Sequence, residues 1–271
     1  MHTLSRQVRF SIDPFSAERK MGYNSYASKP CVEGLGLYLA LWVDLESRLN
    51  PDTGFVVNVS EIDKIVRQKA IPIFTQEISD AYIQQKTVSL SNLVSILKCC
   101  WKEIQQGFQA KKLTRLCLEL NPFNTISIHT EDAGMLTYTE KFEFAAMHRL
   151  WNEKFDAAKN TELFGKCANP AGHGHNYVLE VQVQCQTPLL DTGWKEDYQK
   201  VIKEEFLDSV DHKNLNEDVP EFQSLNPTVE NLSFLAWKKL AGKLKRVKLV
   251  KVTVWENDRT FCSFTMPSES D

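Results

Sequence analysis

The chain has 271 residues, 42% of them hydrophobic and 25% charged, which is the balance of a globular protein and not of a disordered or fibrous one. A formal net charge of −3 gives no basis for a polyanion-binding surface, so nucleic acid is excluded as an expected partner. No apolar run approaches the roughly 20 residues of a membrane-spanning helix. The opening stretch MHTLSRQVRFSIDP lacks the apolar core of a secretory signal, so no membrane association and a cytoplasmic location are expected. Seven scattered cysteines without a C-x-x-C pair argue against a disulfide framework or a zinc knuckle.

In chain order, PCVEGLGLYLALWVDLE opens on a G-x-G turn and continues as an alternating strand. NPDTG then predicts a hairpin turn into a second alternating run, FVVNVSEI. In the second half, KFEFAAMH and HNYVLEVQVQ alternate as strands, and DYQKVIKEEFLDSV has the period of an amphipathic helix. LLDTGWKEDYQKV passes almost directly from turn to helix, so the hairpin there is short. VENLSFLAWKKLAGKL is a second helix, with Thr228 as its N-cap and Glu230 in its first turn, and VKLVKVTVWE closes the unit as a strand.

The halves repeat one another. Gly34 set on Gly172 gives an offset of 138 (172 − 34), Asn92 on Asn231 gives 139 (231 − 92), and Asn121 on Asn257 gives 136 (257 − 121). Near-equal offsets in one order point to a tandem duplication. The expected architecture is α+β, an antiparallel sheet with two helices on one face, written twice over residues 1–133 and 134–271. Sheets of this kind leave edges to be covered, so a homo-oligomer is expected.

Chemistry concentrates in FGKCANPAGHGHNY. His173 and His175 point to one face of a strand, and Gly174 between them allows close backbone approach. His148 ends the strand KFEFAAMH on the face of Phe142, Phe144 and Ala146. Three histidines with an open fourth position suit a catalytic zinc site, whereas an isolated H-x-H is more often ordinary histidine. Cys167 is by itself a small buried hydrophobe or, next to Lys166 and ahead of a metal ligand, a thiol of depressed pKa. Asp211 and His212 are neighbours, so both serve one site only where the backbone is irregular, which DHKNLNEDVP permits. Glu256 ends the stripe Val250, Val252, Val254 as a rim charge or as a bidentate acceptor for a donor pair.

FEFAAMHRL, LFGKCANPAGHGHNY, DHKNLNEDVP, NPTVENL and VTVWEN, in that order, closely resemble the 6-pyruvoyltetrahydropterin synthase family, which includes 6-carboxytetrahydropterin synthases. The resemblance implies the tunnelling fold, whose units assemble into β-barrels, and a pterin substrate, 7,8-dihydroneopterin triphosphate, from which triphosphate is eliminated. By position it implies His148, His173 and His175 as Zn2+ ligands, one zinc per chain, and Cys167 as the proton-abstracting base. Asp211 and His212 become a relay pair, Glu256 the pterin anchor, and Thr228 and Glu230 further substrate-binding residues; Mg2+ would accompany the triphosphate. The C-x5-H-G-H spacing looks more like the pyruvoyl-forming members than the carboxy-forming ones. The first half has Leu35, Leu37 and Leu120 where the second has His173, His175 and Glu256, so it resembles a degenerate copy without the chemistry.

Overall fold

The computed structural model describes residues 1–15, 36–108, 111–130 and 134–266. Cys31, Gly34 and Leu35 lie outside the described residues. The chain divides into two compact units, residues 1–138 with 185–192 and residues 139–184 with 193–271. No described helix is long and apolar enough to cross a membrane.

In the first unit, strands β1 (His2–Ile12), β2 (Leu37–Ser47), β3 (Lys112–Asn121) and β4 (Asn124–His129) pair antiparallel in that order. Helix α1 (Val59–Ile65) runs through a wider π turn, Val66–Ala70, into α2 (Ile71–Ile83), and α3 (Leu90–Gly107) packs on β3 and β4. Ser89 begins α3 with a capping box, its hydroxyl accepting from the Asn92 amide. Val8, Phe10, Ile12, Leu41, Val43 and Leu45 from the strands and Phe74, Leu97 and Cys100 from the helices form the core.

The expected hairpin after NPDTG does not form. Both edges of β2 are taken, by β1 and by β3. Asn50 accepts from the Asp52 and Thr53 amides to make the turn, and Asn58 already caps α1 through the Ser60 amide. Too little chain separates turn from cap for a strand, and Phe55–Val57 crosses as irregular backbone with Val57 buried.

The second unit contains β5 (Met135–His148, its first residues in the first unit), β6 (His173–Gln186, its last two residues in the first unit), a two-residue β7 (Lys213–Asn214), β8 (Lys248–Asn257) and β9 (Thr260–Phe264). The order is β5-β6-β8-β9, with β7 parallel to β5. β8 does not close the unit as expected: an Asx turn at Asn257, accepting from the Arg259 amide, returns the chain as β9. Helix α4 (Ala157–Phe164) leads into a 3-10 turn, Gly165–Ala168. The predicted amphipathic helix is α5 (Trp194–Ile202), a π turn Lys203–Leu207 and the short α6 (Asp208–Val210); α7 (Leu215–Asp218) follows β7. Helix α8 (Val229–Leu240) packs on β8 and β9, capped by Thr228, whose hydroxyl accepts from the Asn231 amide.

Internal registers of the two units correspond. In β2/β3, Leu41 pairs with Leu118 and the register shifts after Asp44; in β6/β8, Leu179 pairs with Val254 and shifts after Gln182. Raising β2 by 138 and β3 by 136 converts one pairing into the other, bulge included (44 + 138 = 182, 118 + 136 = 254). β3/β4 and β8/β9 likewise share their pairing and their bulge before Asn121 and Asn257. The π turns begin at Val66 and Lys203.

Candidate metal centre and its surroundings

His148 is the last residue of β5, and alternation buries it with Phe144 and Ala146. Its side chain is 1% exposed. His173 and His175 open β6, and Tyr177, two residues further on the same face, is fully buried. Nitrogens of the three imidazoles all lie within 4.8 Å of one another. His148 Nδ1 lies 2.8 Å from the Pro227 carbonyl, a bond only a protonated Nδ1 can make, which leaves the Nε2 lone pair facing His173 Nε2 at 3.2 Å. His173 Nδ1 and His175 Nε2 are buried without a hydrogen-bond partner. Burial lowers the pKa of His148 and of His175, favouring neutral, metal-binding imidazoles. Convergent lone pairs, orphaned ring nitrogens and an all-imidazole donor set fit zinc.

Gly172 fixes the entry into β6. Its φ is +66°, and a Cβ there would stand 2.9 Å from the His148 carbonyl oxygen. Gly174, expected to be the close-approach glycine, has its nearest neighbour at 3.4 Å, so the tighter constraint falls two residues earlier. Asn216 holds the residue after His148, accepting from the Arg149 amide at 2.7 Å and donating to the Arg149 carbonyl at 2.9 Å. Arg149 in turn donates to the Ala168 carbonyl and stacks on Trp151 at 4.0 Å.

Cys167 sits in the 3-10 turn with Sγ 3.8 Å from His173 Nε2. Burial and then the Glu256 carboxylate push its thiol up. The depression expected beside Lys166 is therefore not found: burial and the negative charge of Glu256 both disfavour the thiolate. Glu256 is the unpaired residue of the β8 bulge, and its Oε1 lies 3.7 Å from His148 Nε2 and 3.6 Å from His175 Nε2.

Asp211 and His212 meet through an irregular backbone. His212 adopts φ +56°, and its Nδ1 lies 2.9 Å from Asp211 Oδ1. Both are pinned to β5 at Ala145, whose amide donates to Asp211 Oδ1 and whose carbonyl accepts from the His212 amide. The Ala145 amide, ahead of His212, holds the Asp211 carboxyl below the usual carboxylate range. His212 is 81% exposed and shares with His175, Gly174 and Asn176 a cavity of about 460 Å3; no contact joins it to Cys167 among the described residues. Thr228 and His148 line a larger cleft of about 1080 Å3 with Arg149, Trp151 and Asn226. Glu230 is exposed on the first turn of α8.

The structure thus brings His148, His173, His175, Cys167 and Glu256 together and places His212, bonded to Asp211, and Thr228 along adjoining cavities. Tyr177, Pro227 and Asn216 escaped the sequence reading, and Gly172 entered it only as a turn residue. Tyr177 was accessible from i+2 alternation; Pro227 and Gly172 act through their backbone, and Asn216 through side-chain bonds to a distant backbone, which no local pattern reports.

Residues 137–267 match the family described as 6-pyruvoyl tetrahydropterin synthase. The chain is 37% identical over 126 residues to the 6-pyruvoyl tetrahydrobiopterin synthase of Dictyostelium discoideum, covering 45% of this chain and 90% of that protein. It is 38% identical over 123 residues to the synthase of that name from Homo sapiens, covering 44% of this chain and 84% of the other. The solved structure of Caenorhabditis elegans 6-pyruvoyl tetrahydropterin synthase covers 49% of this chain and 96% of its own, with 32% identity and a TM-score of 0.41.

Proposed function

Because this chain belongs to the 6-pyruvoyl tetrahydropterin synthase family, we propose that it is a zinc-dependent lyase eliminating triphosphate from 7,8-dihydroneopterin triphosphate to give 6-pyruvoyltetrahydropterin. The observation that carries the proposal is the His148, His173, His175 cluster with Cys167 and Glu256 against it. His148, His173 and His175 would hold the metal. Zinc bound there supplies a positive charge that acidifies protons next to the substrate's side-chain oxygens and opposes the burial and Glu256 field that push the Cys167 thiol up.

The chain's own groups divide the remaining work. Cys167 Sγ, as thiolate, takes a proton from the carbinol carbon next to the ring, whose electron pair passes into the ring C=N bond, so that the ring is reduced and reprotonated as the carbinol becomes a carbonyl; loss of a second proton, from the next carbon, expels the triphosphate oxygen and leaves an enol that becomes the second carbonyl. Asp211 fixes the His212 tautomer through Nδ1, leaving Nε2 to exchange the hydroxyl proton from the adjoining cavity. Glu256 accepts the paired amino and ring N–H donors of the pterin. Thr228 and Glu230, at the start of α8, line the approach to the ring.

The reading extends to the first unit, as a degenerate second copy of the fold. Its registers, bulges and π turn recur at offsets of 136 to 138, which supports the reading of a tandem duplication. Leu120 in β3 stands where β8 has Glu256, and Leu37 where β6 has His175. Homo-oligomeric assembly into barrels follows from the same family reading.

The deciding experiment is mass spectrometry of products from 7,8-dihydroneopterin triphosphate. The pyruvoyl product with inorganic triphosphate is expected. A 6-carboxy product with acetaldehyde would assign the alternative 6-carboxytetrahydropterin synthase activity, and no turnover by zinc-loaded protein would leave a non-catalytic pterin-binding protein.

A further inference from the structure

Ligand atoms bound at about 2.0–2.2 Å to one tetrahedral zinc stand roughly 3.3–3.6 Å from each other, because the edge of a tetrahedron is about 1.63 times its centre-to-corner length. In the second unit His148 Nε2 and His173 Nε2 are 3.2 Å apart, and Glu256 Oε1 is 3.7 Å from His148 Nε2 and 3.6 Å from His175 Nε2. These separations lie close to the edges of one coordination tetrahedron. They do not suit direct bonding: His175 Nε2 is buried without a hydrogen-bond partner although a carboxylate oxygen is 3.6 Å away. With its Nδ1 hydrogen committed to the Pro227 carbonyl, neutral His148 turns an Nε2 lone pair toward the same anionic oxygen. Lone pairs and a carboxylate converging on one point repel unless a cation lies between them.

Cys167 is the other group able to complete the set, but it contacts His173 alone, at 3.8 Å, whereas Glu256 approaches two of the three imidazoles. The β8 bulge leaves Glu256 out of the strand ladder and aims its side chain at the triad.

We propose that in the substrate-free protein Glu256 is the fourth ligand of the metal, closing the site, and that it leaves the metal to receive the pterin ring. This rests on the zinc reading of the triad. Substrate binding then opens the coordination position at the moment the pterin claims the carboxylate. Cys167 remains uncoordinated throughout.

The test uses the full chain and its Glu256→Gln variant, both stripped of metal, with far-UV circular dichroism as the folding check. Zn2+ affinity is measured by competition with a chromophoric chelator, and the coordination of Co2+ by visible absorption. The near-isosteric variant is expected to bind Zn2+ about tenfold or more weakly and to give an altered Co2+ spectrum. Adding 7,8-dihydroneopterin to the native Co2+ protein is expected to shift its spectrum. Unchanged Zn2+ affinity and an unchanged spectrum in Glu256→Gln would overturn this inference while leaving the zinc site intact. So would native behaviour in Glu256→Asp, because charge without reach would then suffice. A native chain that takes up neither metal overturns both this inference and the zinc reading.

Discussion

Gly172 combines two constraints in one residue, a left-handed φ of +66° and a backbone approach that leaves 2.9 Å for a Cβ against the His148 carbonyl. Gly172→Ala is expected to cost about 1–3 kcal/mol, measured by urea unfolding with chelator present, and to weaken zinc binding because the oxygen it displaces belongs to a ligand. Cys167→Ala is expected to lower triphosphate release by about 10²- to 10⁴-fold with metal content held; full release would remove Cys167 from the base role. At Asp211 the folded pKa is depressed, chiefly by the Ala145 amide. The stabilisation from that bond is present above the unfolded carboxyl value of about 3.9 and is lost as pH falls through the lower folded value. The Ala145 amide resonance should therefore titrate with a midpoint below about 3.9, and Asp211→Asn should abolish the titration. Gly172 was visible in the sequence as part of a turn, but its contact with the His148 carbonyl depends on how β5 and β6 lie side by side, which periodicity does not report.

Helix α8 links stability to the site, because the residue before its cap supplies the carbonyl that orients His148. Thr228→Ala removes the bond to the Asn231 amide and is expected to cost about 1 kcal/mol in chemical unfolding, with a measurable loss of zinc affinity as Pro227 loosens. The cap and the helix were legible because Thr228, Glu230 and the apolar period all point the same way. The run FVVNV was misleading for an equally local reason. It alternates like a strand, yet Asn58 caps α1 and leaves no room for one, while β1 takes the edge of β2 that a hairpin partner would need. β9 was missed because the Asx turn at Asn257 and the short strand after it carry little hydrophobic periodicity.

For the whole molecule, the expected metal stoichiometry is one zinc per chain, since His148, His173 and His175 are the group found among the described residues that could hold a metal ion. Elemental analysis of carefully purified protein checks this; two zincs would show that the first unit binds metal as well. Chelation is expected to lower the thermal midpoint of the native chain, by the equivalent of about 2.7 kcal/mol when free zinc had been held at a hundred times its dissociation constant. By itself the sequence determined the family and several of the strands and helices, because motif, alternation and capping are local properties of the chain. Tertiary structure decided what the site's residues meet. Glu256 faces the imidazoles because a bulge turns it out of β8, Asp211 and His212 share one side through a positive φ, and the Cys167 thiol is raised by burial beside a carboxylate from a strand 89 positions away (256 − 167). Each of these depends on separations between distant segments, and only folding sets them.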